Sequence, residues 1–303
     1  MTLQAELLGR FSLRVHGAAV PAAAFERPSG LRLVKLLLAT PGHRIRREAA
    51  AEALWPEADS VRSGANLRKA ICFARRALID AGAPDGAIVT DGPAVAIHDA
   101  VAVEVDTDRL RAAVFAALDA RVAHRAPDPH HLADLAELAG RDLLPDEPDE
   151  EWLLPLRERL HHAVVDALVF AAEHARATGH AGLATQLVAR LLEHEPADET
   201  GHRLAIELHL DAGRVDAARR QLFLCARAMA DFYDVAPSGE LHALIASAER
   251  DGARARAATT DASIGRLLVD ALSEAIAAVA SSPIGAPAVL APRPQPVRTA
   301  FAR

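Results

Sequence analysis

Cysteine is scarce: only Cys72 and Cys225 occur in 303 residues. They lie far apart, in no CxxC pair, which excludes a disulfide framework and makes a reducing cytoplasm the expected location. Aromatic residues make up 4% of the chain, and alanine swells the 51% apolar content. That is too little β-favouring side chain for a β-rich fold, so the expected fold class is mainly α. Every apolar run is broken by charge well short of the ~20 residues that span a bilayer, and no membrane association is expected. The opening MTLQAELLGRFSLRVHG lacks a cationic stretch leading into a long apolar one, so no signal peptide is expected either.

Enzyme signatures are missing as well. There is no GxxxxGK[ST], GxSxG, HExxH or glycine-rich dinucleotide turn. The fourteen histidines are not spaced for a metal. His130-His131 and His161-His162 are adjacent pairs that diverge on a helix, and His202 and His209 are two turns apart. Asp149-Glu150-Glu151 reads as a charge cluster at a helix N-terminus, and Trp152 beside it as an anchor between the first helices of the second half. No catalytic residue, metal or cofactor is expected.

What is present is a division of charge. The net charge is -7, yet residues 27–76 hold eleven Arg or Lys against four Asp or Glu, a local +7. Residues 101–303 hold twenty-one against thirty-one, a local -10. A basic module joined to a larger acidic one suits a DNA binder with an attached protein-interaction region.

Along the chain, 6–15 is strand-like, and Gly17 and Pro21 mark a turn before a second short strand. Leu31, Val34, Leu37 and Leu38 predict a helix over 28–39, ended by Pro41-Gly42. Ile45 is an extended link, and 46–54 a shorter helix closed by Trp55-Pro56. A long helix follows, capped by Asp59 or Ser60 and stopped by Gly82, Pro84 and Gly86. Residues 88–90 and 95–97 flank a tight turn, and 101–105 is a candidate third strand. Strand, three helices and a terminal hairpin form a winged helix-turn-helix with small β elements over residues 1–105.

From 106 to 250 the pattern is all-helical, with helices over 107–121, 129–143 and 150–178. Gly179 and Gly213 are 34 residues apart, as are Ala184 and Ala218. Thirty-four is the tetratricopeptide period, so a tetratricopeptide-like repeat domain is expected, capped by the helices of 107–150 and by 238–249. Residues 251–303 form an expected flexible tail. It carries one amphipathic helix over 264–279, on Leu267, Leu268, Ala271, Leu272 and Ile276, and disorder after Ser281.

The long helix organises the rest. Leu67, Ile71, Ala74 and Leu78 line one face. At about 100° per residue, Arg62, Lys69 and Arg76 fall opposite, with Asn66 and Phe73 beside them. That is the design of a recognition helix in a DNA major groove. Arg62, Asn66 and Lys69 lie where base edges are reached, and Arg76 where phosphate is. Arg75 is read as an intramolecular ion-pair partner, and Arg68 as either that or a phosphate contact. Phe73 packs on a base or sugar, or against the wing. Arg44, Arg46 and Arg47, at the start of the second helix, are candidate phosphate contacts. The bland alternative for each is a solvated charged surface.

Six stretches in order carry a resemblance to a known family: LLGRFSLRVHG (7–17), ALWPEA (53–58), NLRKAICFARRAL (66–78), VEVDTDRL (103–110), DLLPDEPDEEWLLPLRERL (142–160) and AGRVDAARRQLFLCARAMADFYDVAPSGEL (212–241). Over about residues 3–248 the chain resembles the Streptomyces antibiotic regulatory protein (SARP) family. Its members join an OmpR-like winged helix to a bacterial transcriptional activation domain of tetratricopeptide type. The resemblance implies a cytoplasmic, sequence-specific transcription activator that binds double-stranded DNA at promoter repeats. It also implies self-association on DNA and recruitment of the RNA polymerase holoenzyme. Unlike many winged helices, this one has no Arg or Lys between Ala87 and Ile97. Cys72 and Phe73 stand where relatives carry small, polar or basic residues. Two alternatives remain from the residues alone: a tetratricopeptide protein-interaction scaffold, or the N-terminal regulatory part of a larger signalling ATPase-type regulator.

Overall fold

The computed structural model describes residues 2–281, so the expectation for the stretch after Ser281 lies outside the described residues. The chain divides after Ala246 into two compact units. The first opens on β1 (Thr2–Glu6) and β2 (Ser12–Val15), antiparallel with Leu3 opposite Val15. Residues 6–15 are therefore not one strand. Leu7 and Leu8 are buried, and their amides leave the sheet to bond the Asp106 carboxylate at 2.8 and 2.9 Å, so the backbone must turn between the strands. β3 (Ala18–Ala19) comes before Pro21 rather than after it; a 3-10 turn over Ala22–Ala24 follows the proline.

Then come α1 (Pro28–Ala39), β4 (Arg44–Arg46), α2 (Arg47–Leu54) and α3 (Ser60–Asp80). Proline starts α1, where a missing N–H costs nothing. β5 (Ile88–Asp91) and β6 (Ala94–Ile97) form the wing hairpin, and β4 pairs with β6 to make a three-stranded sheet. β7 (Ala102–Val105) does not extend that hairpin. It runs parallel to β1, completing a four-stranded sheet in the order β3-β2-β1-β7. The three helices pack on one another and lie in sequence between the strands of the two sheets, a winged helix-turn-helix with small β elements.

β7 runs directly into α4 (Asp106–Val122), followed by α5 (Pro129–Leu138). α5 is shorter than its apolar pattern: Leu143 and Leu144 instead fold back on the first strand's exit, Leu8 bridging to Leu143 and the Leu144 amide bonding the Leu7 carbonyl at 2.8 Å. A 3-10 turn over Glu151–Leu153 leads into α6 (Leu154–Ala177), whose Pro155 sits in the first turn. α7 (Ala181–His194), α8 (Glu199–Asp211) and α9 (Val215–Tyr233) complete two helical hairpins, α6 with α7 and α8 with α9. Gly179 and Gly213 occupy the two turns with φ of 78° and 69°, a left-handed backbone that glycine adopts without strain. Ala184 and Ala218 are fully buried, which lets the paired helices approach closely.

One apolar core runs from Leu3 through α1, α3 and α4 to Leu208 in α8. A smaller one joins Ile206, Ala218, Cys225 and Met229 to Leu241 and Ile245. Those last two belong to α10 (Gly239–Ser281). This helix does not end near Glu249 as expected. It runs on through the composition change at Arg250 and contains the segment expected as a separate amphipathic helix. In the second unit Ile264, Leu267, Leu268 and Leu272 are exposed. No helix among the described residues is long and apolar enough to cross a membrane.

Candidate nucleic-acid interface

α3 is started by Asp59, whose carboxylate accepts from the amides of Val61 (3.1 Å) and Arg62 (2.9 Å), satisfying two donors that a helix end leaves open. One side is sealed: Leu67, Ala70, Ile71, Ala74, Ala77 and Leu78 are all buried beneath α1 and α2. The approach of α1 is close enough to require Gly30, where a Cβ would lie 3.0 Å from both the Ala74 nitrogen and the Phe73 Cβ.

The other side is open. Arg62, Arg68, Lys69 and Arg76 are exposed, with Cys72 among them, while Asn66 and Phe73 are half-buried. Phe73 neighbours α1 at Gly30. Arg62, Arg68 and Lys69 form no ion pair among the described residues. Arg76 has Asp80 at 4.0 Å, both side chains well exposed, a pairing worth little in water. Among the described residues Arg75 has no ion-pair partner, against expectation: its Nε donates to the Ile88 carbonyl at 2.8 Å. It fastens α3 to the first wing strand.

The second cationic group sits on β4 and the start of α2. β4 pairs Arg44 with Ala96 and Arg46 with Ala94, so both side chains project from one face and Ile45 from the other. Arg44 is engaged, its guanidinium 2.6 Å from Asp91 on the wing. Arg46 is exposed and Arg47 half-buried. The Arg47 amide donates to the Pro93 carbonyl at 2.7 Å, so one of the α2 amides expected to hold an anion is already satisfied. The wing itself presents Asp91 and no cation.

A polar clamp whose partners no local pattern in the residues announces holds the winged helix to the helices after it. Arg32 reaches Glu150 at 2.6 Å, and the same carboxylate accepts from the Trp152 indole at 2.6 Å. The 3-10 turn carrying Trp152 packs on α2 as well as α6, so this segment also ties the helical half to the winged helix. Lys35 is buried, ion-paired to Glu147, with its ammonium 4.7 Å from the centre of the Phe11 ring. His43 lies 3.0 Å from Asp108; the hydrogen bond to that carboxylate raises the imidazole's pKa against the opposing effect of burial. Asp106 accepts three amides, Leu7, Leu8 and Thr107, and burial pushes its carboxyl up in spite of them. One signal was available: Lys35 interrupts the apolar run LRLVKLLLA at a position the helical period buries, and a buried lysine requires a partner. Among the described residues, no group of three His, Cys, Asp or Glu side chains is placed to hold a metal ion.

No protein-family model matches the sequence, and no curated protein matches it significantly. Among solved structures the chain is similar to Mycobacterium tuberculosis EmbR, determined in complex with a low-affinity phosphopeptide. The TM-score is 0.62 at 21% identity, covering 82% of this chain and 65% of that one. The chain shares the fold of that EmbR structure. At this identity the likeness concerns architecture, the winged helix followed by a helical domain. The match leaves about a third of EmbR's own length without a counterpart here.

Proposed function

We propose that this chain is a sequence-specific DNA-binding transcriptional activator of the SARP family, not an enzyme, with α3 as its recognition helix. The observation that carries the reading is the outer face of α3. Arg62, Arg68 and Lys69 are held out to solvent without acidic partners among the described residues, on a helix whose opposite side is closed by the core. The family resemblance and the fold shared with EmbR, itself a SARP-family regulator, support it.

The dimensions of α3 support the proposed roles. At 1.5 Å per residue, Arg62 to Lys69 spans about 10 Å, comparable with a major groove ~12 Å wide. Arg62, Asn66 and Lys69 therefore meet base edges: Arg or Lys on guanine, Asn on adenine. Arg76 lies about 10 Å further on and contacts phosphate. Arg46 and Arg47 hold a second phosphate run, joined by Arg44 once Asp91 releases it. Arg68 takes the phosphate role of the two left open to it. Phe73 contributes packing at the groove edge. The helical hairpins and their caps offer the surface for self-association on promoter repeats and for the RNA polymerase holoenzyme, in the cytoplasm.

Selection of bound duplexes from a random pool, followed by gel-shift titration at several salt concentrations, tests this. With three or more phosphates neutralised per chain, log affinity falls with log salt at a slope of about -3 or steeper. Recovery of no consensus, or a flat salt response, would favour a tetratricopeptide scaffold that meets only proteins.

A further inference from the structure

A cleft of about 570 Å³ opens between α4, the first half of α6, the end of α7 and the connection over 139–148. Its volume is that of a small-molecule site. Leu110, Leu143, Leu160 and Val164 supply apolar walls. Of the polar lining, His161 is engaged with Glu195 at 2.7 Å and His194 with the Ala139 carbonyl. Asp142 and Glu158 also line the cleft and are exposed at its rim.

Arg157 differs from these. It is half-buried, and its Nε and Nη2 donate only to backbone carbonyls, those of Leu143 (2.9 Å), Leu144 (2.6 Å) and Glu147 (3.1 Å). Among the described residues no carboxylate neutralises it, and Nη1 has no partner. Arg32 in the clamp and Arg176 and Arg203 in the hairpins, also half-buried, each face an acid, whereas Arg75, outside this cleft, is fastened to a single carbonyl. An unneutralised guanidinium in a partly dry cleft is a charge waiting for a counter-ion. The backbone it holds is itself strained: Leu144 has φ of 46°, a left-handed conformation that a non-glycine residue keeps only where its surroundings impose it.

We propose that this cleft binds a small amphipathic acid, with its apolar body on Leu110, Leu143, Leu160 and Val164 and its anionic group on Arg157. The connection that Arg157 grips also carries Glu147 and leads to Glu150, the two carboxylates that clamp α1. The binding claim does not depend on DNA recognition and is measured without DNA.

The probe is decanoate, titrated calorimetrically into the full chain, with decylammonium as its cationic counterpart. Decanoate binds with a stoichiometry of one. Arg157→Gln weakens it about tenfold or more, the scale of a lost charge-assisted hydrogen bond, and Leu160→Trp, which fills the cleft, removes it. Phe223→Ser, at an exposed apolar residue of α9, leaves it unchanged. If Arg157→Gln does not fold, the head-group swap and Leu160→Trp decide. No uptake of decanoate, equal binding of decylammonium, or undiminished affinity in Leu160→Trp overturns the proposal.

Discussion

Replacing Glu147 by alanine takes the counter-ion from a nearly buried ammonium. The Lys35 side chain is 9% exposed and that of Glu147 27%. Breaking a fully buried pair by removing one partner costs about 3–5 kcal/mol. Because Glu147 is partly solvated and Phe11 remains under the ammonium, the expected loss is about 2–3 kcal/mol. The reciprocal change behaves differently. Lys35→Met keeps the stem packed and removes the buried charge, and the orphaned Glu147 reaches water. Its cost is the missing cation–π interaction, offset by easier burial, and stays within about 1 kcal/mol. Urea denaturation of the full chain, followed at constant m-value, reads both. Equal losses for the two variants, or a loss below about 0.5 kcal/mol for Glu147→Ala, would refute the picture of a buried lysine held by this acid.

Leu67→Ala or Ile71→Ala opens a cavity beneath α3 and lowers unfolding free energy by about 2–5 kcal/mol in the same assay. Gly30→Ala sets a Cβ at 3.0 Å from the α3 backbone and is expected to cost about 1–3 kcal/mol through overpacking. His43 has its pKa raised by Asp108, so its stabilising contribution is complete below the ordinary value near 6.5 and fades as pH rises through the raised one. Urea midpoints from pH 5.5 to 8.5 should therefore fall across that window more in the parent protein than in His43→Gln, and parallel curves would count against the assignment.

What was legible in the residues was whatever announces itself locally. The 4, 3, 4 spacing of Leu67, Ile71, Ala74 and Leu78 fixed which side of α3 is buried, and so which cations face out. The cap narrows to Asp59 or Ser60, of which Asp59 takes the role, and the 34-residue echo locates Gly179 and Gly213 in their turns. Partnerships across long separations were not legible. β7 joins β1 about a hundred residues away, and nothing in AVEV says which sheet it enters, because edge pairing is decided by tertiary fit. Charge alone suggests roles for Arg75 and Arg44, but their partners, a carbonyl on β5 and a carboxylate on the wing, are set by how the hairpin lies. α10 outruns its expected end for a different reason. The run RDGARARAATTDAS is rich in alanine and arginine, whose summed helix propensity carries the helix past a single glycine, although the shift to simple composition suggests a break.

Gel-shift titration of the Arg62→Ala/Lys69→Ala double variant on the selected duplex is the most direct test of α3 as the reading element. Each of the two removed side chains is worth about 1–3 kcal/mol at a base edge, so affinity should fall about 30-fold or more while the thermal midpoint stays where it was. Parent-like affinity on that duplex, with the fold intact, would contradict the account.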